Sequence, residues 1–293
     1  MKINYIEPGN ENNYFWFIKI LIKIVLYRLP FVYQIWQKIG IFRHGKMDNV
    51  DYAIEKFFMH IRDLNIDIKN IKGKTILELG PGDSAASALI ACSLGAKCIL
   101  IDANNFISNK IDFYYQLEKR LTEMNYNPPK VNGIKNIHEI LKLCNSDYHI
   151  EGKTSIKLIK SKSIDLIFST AVLEHLKLDE FEIIIKEMRR ILKDDGFTSH
   201  EIDLKDHLNK SLNNLRFSSW IWESNLFSNS GFYTNRLRYS QIIKIFETSG
   251  FNVQILKQKK WNKYPINIKL INKEFRNELN EELLISSFNL ITN

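Results

Sequence analysis

Glu78, Gly80, Gly82 and Asp102 are the residues whose types and order could do chemistry together. They lie in and just after the run Thr75-Ile76-Leu77-Glu78-Leu79-Gly80-Pro81-Gly82-Asp83-Ser84. Two glycines where a strand hands over to a helix let the backbone approach a ligand with no Cβ in the way. The helix that follows offers unpaired N–H groups at its start. Asp102 closes the next apolar run, where a carboxylate can accept hydrogen bonds from both ribose hydroxyls of a nucleoside. Gly80-x-Gly82-x-x-Ala85 also satisfies the G-x-G-x-x-A dinucleotide fingerprint, so a nicotinamide dinucleotide stays open as a second ligand. Glu78 weighs against it, because a carboxylate two residues before the first glycine repels a diphosphate and attracts the ammonium of a methionine moiety. S-adenosylmethionine is therefore the expected cofactor, bound by these four residues.

A sulfonium methyl is transferred by in-line displacement, so the chain has to align a nucleophile and, for a hydroxyl, take its proton. Candidate bases belong at the C-terminal ends of strands. His175 and the group His200, Asp203, Asp206 and His207 meet that condition, and the catalytic candidates are His175, His200 and His207. The competing reading of Glu174 and His175 is that they cap or orient the next helix. One segment with H-x-x-D-x-x-D-H spacing matches no metal template, and no metal site is expected. Trp220, Trp222, Phe227, Phe232, Tyr233, Arg236 and Arg238 either stack on a sugar or base and pair with phosphate, or close the core of a lid.

The elements that must position these residues read as an alternation. Thr75 to Leu79, Lys97 to Ile101, Asp147 to Ile150, Ile164 to Ser169 and Phe197 to Ile202 are expected strands. Helical patterns cover Ser84 to Leu94, Ile111 to Met124, Ile137 to Leu143 and Asp179 to Leu192, the last stopped by Asp194-Asp195-Gly196. Ser240 to Ser249 is a further helix and Phe251 to Leu256 a sixth strand. A short charged helix around Phe275 to Leu279 precedes a last strand, Leu283 to Ile291, antiparallel beside the sixth. Strands alternating with helices imply a doubly wound, mostly parallel α/β sheet. Residues 203–238 interrupt the alternation as an inserted lid, and Lys257 to Lys263 reads as solvated basic surface. Residues 1–72, with a helix from Met47 to Leu64, form an expected N-terminal helical cap ahead of a domain spanning 73–293.

The chain has 293 residues, a net charge of +8 and three cysteines. Cys92, Cys98 and Cys144 form no C-x-x-C pair, which excludes a disulfide framework and fits a reducing, cytoplasmic compartment. The stretch from Tyr14 to Trp36 is apolar and aromatic but interrupted by Lys19, Lys23 and Arg28, so neither a membrane span nor a signal peptide is expected. Two roles stay open for it: docking on the main domain, or peripheral contact with the inner face of a membrane through residues 12–40.

Together, ILELGPGDS, the acid in LIDAN, SIDLIFSTAVLEHL and EMRRILKDDGF resemble class I S-adenosylmethionine-dependent methyltransferases of the methyltransferase type 11-like kind. The resemblance spans about Lys74 to Phe197 and implies a Rossmann-like, seven-stranded fold. It also implies that Glu78, Gly80 and Gly82 line the methionine part of the cofactor, that Asp102 holds the ribose, and that adenine contacts follow the third strand, where Asp147 or Glu151 could serve. The flanking strings GIFRHGKMD, SHEIDLKDHL and SGFYTNRLR resemble methyltransferases found beside surface-polysaccharide biosynthesis enzymes. That implies a small-molecule or glycan acceptor, such as a hydroxyl of a sugar or glycolipid precursor. RNA methylation is an alternative for a basic chain, although no nucleic-acid-binding module is visible and nucleic acid is not the expected partner. A non-catalytic cofactor-binding module at a membrane assembly is the other alternative.

Overall fold

The computed structural model describes residues 3–7, 17, 18, 20–22, 24, 46–276 and 281–293. Its elements run in chain order: β1 (Ile3–Glu7), α1 (Val50–Asp63), β2 (Thr75–Leu79), α2 (Ala86–Ser93), β3 (Lys97–Ile101), α3 (Ile111–Glu123), α4 (Ile137–Leu143), β4 (Asp147–His149), α5 (Lys153–Leu158) and β5 (Ile164–Thr170). Then come α6 (Leu178–Ile191), β6 (Leu192–Asp203), α7 (Ser219–Trp222), α8 (Asn225–Ser228), α9 (Tyr239–Thr248), β7 (Val253–Trp261) and β8 (Ile285–Thr292). The strand order is β1-β7-β8-β6-β5-β2-β3-β4. The sheet is mostly parallel, with antiparallel strands at its C-terminal end.

The chain divides into two compact units, and β6 and β8 run through both. One unit comprises Val32–Thr170, Lys186–His200 and Ile291–Asn293. Here β2 pairs in parallel with β3 and β5, and β3 with β4. Near-continuous burial along β2, β3 and β5 is what a parallel sheet covered on both faces requires. Asn49 caps α1 by accepting from the Tyr52 N–H at 2.9 Å, and Ala53, Ile54, Phe57, Phe58 and Ile61 recur at helical spacing on its buried face. These residues share a core with Ile76, the alanines of α2, Leu100 and Leu117.

The other unit comprises Met1–Phe31, Ala171–Ile185 and Glu201–Leu290. Leu208, Trp222, Phe227, Phe232 and Tyr233 form a buried cluster with Ile20. A second cluster gathers Leu212, Leu215, Trp261, Ile266 and Leu283.

The alternation expected from sequence is present, with four corrections. The sheet has eight strands, because residues 3–7, expected within a helical cap, form β1 and pair in parallel with β7 from Ile3 opposite Lys257 to Glu7 opposite Trp261. Five residues are too few for the period of two to stand out. Asp194-Asp195-Gly196, expected to stop the helix ahead of a strand from Phe197, lies inside β6, which starts at Leu192. A Cβ at Gly196 would sit 2.8 Å from the Leu192 side chain and 3.0 Å from the Asp165 carbonyl, so glycine here marks close packing. Lys257 to Lys263, expected as surface, is strand up to Trp261. The short charged helix is a 3₁₀ turn at Lys273–Phe275, and residues 277–280 lie outside the described set.

For the N-terminal stretch, residues 17, 18, 20–22 and 24 have helical backbone. Ile20 is buried in the aromatic cluster and Ile24 packs against it, while Phe17, Ile18, Leu21 and Ile22 are exposed. The rest of 12–40 lies outside the described residues. Among the described residues no helix is long and apolar enough to cross a membrane.

Candidate active site

In the unit that holds β2 and β3, the turn after β2 carries Gly80 at φ 69° and Gly82 at φ 66°. That left-handed region costs any residue with a Cβ roughly 1–2 kcal/mol. The Gly80 N–H donates to the Ile101 carbonyl at 2.8 Å, tying the turn to the end of β3. Asp102 fixes it from the side: its carboxylate accepts from the Gly82 N–H at 3.2 Å and the Ala103 N–H at 2.7 Å. Burial raises the Asp102 carboxyl to about 6, the two backbone bonds hold it down, and the charge of Asp83 adds to the rise.

Glu78, on β2, is 2% exposed, and its Oε2 has no hydrogen-bond partner. Burial pushes its carboxyl up to about 8, with Ser87 opposing and Asp102 reinforcing the shift. A buried carboxylate oxygen left unsatisfied costs about 1–3 kcal/mol or more unless a ligand donor meets it. An ammonium is such a donor. Glu78, Gly80, Gly82 and Asp102 thus come together as one cradle, and their donor set fits the aminoacyl and ribose ends of S-adenosylmethionine.

On the side expected for adenine, the Asp102 N–H donates to the His149 carbonyl and the Gly152 N–H to the Asp102 carbonyl, both at 2.9 Å. The loop with Ile150 and Glu151 is bracketed by this pair, and both residues are exposed. Asp147 instead pairs with Lys97 at 2.8 Å.

The acceptor-side candidates separate. His200, in β6, is fully buried and bonds through Nδ1 to the Ser169 hydroxyl at 2.7 Å. With no exposed surface it does not reach a solvent-borne substrate, and burial lowers its imidazole to about 3. A second buried histidine is one that sequence reasoning missed. His60 of α1 bonds through Nδ1 to Ser199 Oγ at 2.8 Å and through Nε2 to Thr170 Oγ1 at 2.9 Å, and stacks on Phe168. Its place beside Ile61 on an apolar helix face was the available signal. Asp206 is a loop organiser: its carboxylate accepts from the N–H groups of Leu208, Asn209 and Asn213. Asp203 turns to Lys205.

In the unit that contains 171–185 and 201–290, His175 and His207 do meet. Their ring centroids are 4.5 Å apart, beside the carboxylate of Glu174. Ala171, at φ 52°, leads into the 3₁₀ turn Leu173–His175. Asn235 pins that turn through its backbone N–H to the Glu174 carbonyl and its side-chain amide to the Leu173 carbonyl, each at 2.8 Å. The Nδ1–H of His175 donates to the Tyr233 carbonyl at 2.9 Å. Glu174 is 3% exposed; burial raises its carboxyl well above the usual range, with Asp203 and Glu201 adding to the effect.

Of the two readings of the aromatic and basic segment, the structure favours a buried core. Trp222, Phe227, Phe232 and Tyr233 are buried together, and the Trp222 indole N–H donates to the Thr234 carbonyl at 2.7 Å. Arg236 donates to the Phe217 carbonyl at 2.8 Å and pairs with Glu223 at 3.4 Å. Arg238 donates to the carbonyls of Leu204 and Ile285, both at 3.1 Å. Both guanidiniums spend terminal N–H groups on backbone carbonyls. Trp220 is 86% exposed.

An α/β sheet in which the turn after β2 is a left-handed glycine pair, flanked by a buried acid and tied to a second acid just past the end of β3, has the layout of nucleoside-cofactor-binding folds. Residues 51–255 match the profile of the family described as "Methyltransferase domain", and the chain belongs to that family. No protein of curated function matches the sequence. Solved structures similar to it include a candidate O-methyltransferase from Nostoc punctiforme PCC 73102, at 11% identity and a TM-score of 0.39, covering 79% of this chain and 54% of that one. Another is an arsenic(III) S-adenosylmethionine methyltransferase from Chlamydomonas reinhardtii, at 16% identity and a TM-score of 0.42, covering 76% of this chain and 63% of that one. An S-adenosylmethionine-dependent methyltransferase from Methanosarcina mazei has 16% identity and a TM-score of 0.44, covering 75% and 91% respectively. The chain thus spans between half and two thirds of the length of the first two.

Proposed function

We propose that this chain methylates an oxygen of a small-molecule or glycan acceptor, a hydroxyl of a sugar or glycolipid precursor, using S-adenosylmethionine held by Glu78, Gly80, Gly82 and Asp102. The observation that carries the cofactor assignment is the buried Glu78 carboxylate, whose Oε2 has no partner within the protein. The cofactor supplies an electrophilic methyl on a sulfonium. The protein's part is to hold and orient it: Glu78 takes the ammonium, the glycine turn lets the backbone lie close to the methionine moiety, and Asp102 receives the ribose hydroxyls. Support for the acceptor class comes from the flanking strings noted in the sequence. His175 and His207 keep an acceptor-side role as exposed imidazoles, whereas His200 does not.

Calorimetric titration with S-adenosylmethionine and S-adenosylhomocysteine, with NAD as control, tests the cradle. Asp102→Ala should weaken binding by about 1.5–3 kcal/mol, roughly ten- to a hundredfold, as expected for hydrogen bonds to a charged group. Unchanged affinity would show that the cradle is misassigned. Turnover with nucleotide sugars or lipid-linked glycans supports the acceptor class, and activity confined to RNA overturns it.

We further propose a cytoplasmic protein that touches the inner membrane face through residues 12–40. The exposed Phe17, Ile18, Leu21 and Ile22, with a net charge of +8, support this. Substituting Leu21 and Ile22 by Asp should release the protein from anionic vesicles, and undiminished pelleting would sink the idea.

A further inference from the structure

We propose that Glu174, His175 and His207 form a binding site for one divalent cation of the zinc class, a site not expected from residue spacing alone. One ligand atom from each residue lies within 4.8 Å of the other two. Bonds near 2.1 Å to imidazole nitrogen and carboxylate oxygen place the ligands of one ion roughly 3.4 Å from each other, so closure needs only small side-chain rotations. His207 is exposed.

Two further observations point to a ligand. Glu174 is 97% buried, yet its Oε2 has no hydrogen-bond partner, while its Oε1 accepts from the Asp203 N–H at 3.3 Å. A carboxylate anchored through one oxygen and open at the other suits a cation. His175 donates Nδ1–H to the Tyr233 carbonyl, which fixes its tautomer and leaves Nε2 with a lone pair to offer. A backbone carbonyl behind a histidine is the usual partner of a metal-binding imidazole. Asn235 and the buried Tyr233 hold that arrangement from behind, so the donors are organised before any ion arrives.

Two imidazoles and one carboxylate select a borderline ion such as zinc over magnesium or calcium, which take oxygen ligands. Three protein ligands leave a position open on the side of the exposed histidines, for water or an acceptor oxygen. The site stands on the geometry of its own unit and does not rest on the cofactor assignment, so the two can fail separately.

The test is calorimetric titration of the full chain with zinc alone, alongside magnesium, and visible absorption of the cobalt-loaded protein. One equivalent of zinc should bind, with little heat from magnesium. His207→Ala should weaken zinc binding by roughly tenfold or more and abolish the cobalt bands, while His138→Ala, at an exposed histidine on α4, should change neither. Glu174→Gln checks the buried ligand, with circular dichroism as the control for folding, and should also weaken binding. Absence of saturable zinc binding, or binding that survives His207→Ala unchanged or disappears in Cys92→Ser, would overturn the proposal.

Discussion

Replacing Glu78 by glutamine should both stabilise the protein and weaken its hold on the cofactor, by amounts that follow from burial. In the fold the Glu78 carboxyl is raised from its ordinary 4.5 to about 8. A carboxyl with a raised folded-state pKa contributes stability that is fully present below pH 4.5 and is lost as pH rises through 8, because the unfolded chain ionises first. Glutamine keeps the shape and removes the ionisation. The variant should therefore exceed the parent in unfolding free energy by about 1 kcal/mol near pH 5, about 3 near pH 7 and about 5 near pH 9. Urea unfolding at the three pH values, without cofactor, reads this directly. Glutamine also lacks the charge that receives an ammonium, so S-adenosylmethionine should bind roughly ten- to a hundredfold more weakly, the equivalent of about 1.5–3 kcal/mol. A stability difference independent of pH would refute the claim that burial raises this carboxyl. A stabilised variant with undiminished affinity would separate the two halves of the reasoning and refute the ammonium contact.

Trp222→Ala should cost about 3–5 kcal/mol in urea unfolding, since the indole is fully buried among Phe227, Phe232 and Tyr233; a loss under about 1 kcal/mol would mean the cluster is not a core. His200, lowered from 6.5 to about 3 by burial, contributes stability present above pH 6.5 and lost as pH falls through 3. Relative to His200→Gln, the parent should lose about 3 kcal/mol more between pH 7 and pH 4, and parallel profiles would contradict a neutral buried imidazole.

That the glycine turn and Asp102 would lie together was legible because each part is local. A glycine pair at a strand end and an acid at the end of the next strand are adjacent in sequence pattern and become adjacent in space through one β-α-β unit. The Glu174, His175 and His207 cluster was only half visible. Each histidine could be named, but their meeting depends on a 3₁₀ turn held by Asn235 and on the loop that Asp206 ties together, neither of which has a periodic signature. His200 and His60 mark a different limit. Alternation along a strand does not say which polar side chain will find hydroxyl partners inside, and both histidines do. The arginines of the inserted segment carried charge that sequence reading could assign to a ligand, and the fold spends it on its own carbonyls.

The pairing of β1 with β7 joins residues 3–7 to 257–261. Without β1, the N–H and C=O groups of β7 would line an open sheet edge, a template on which a second molecule can add a strand, guarded only by Lys257, Lys259 and Lys260. A shortened chain starting beyond the first segment would therefore be expected to self-associate, and its sedimentation with vesicles would report aggregation as readily as membrane affinity. Point substitutions at Leu21 and Ile22 leave that edge closed, which makes them the sounder probe of the N-terminal segment.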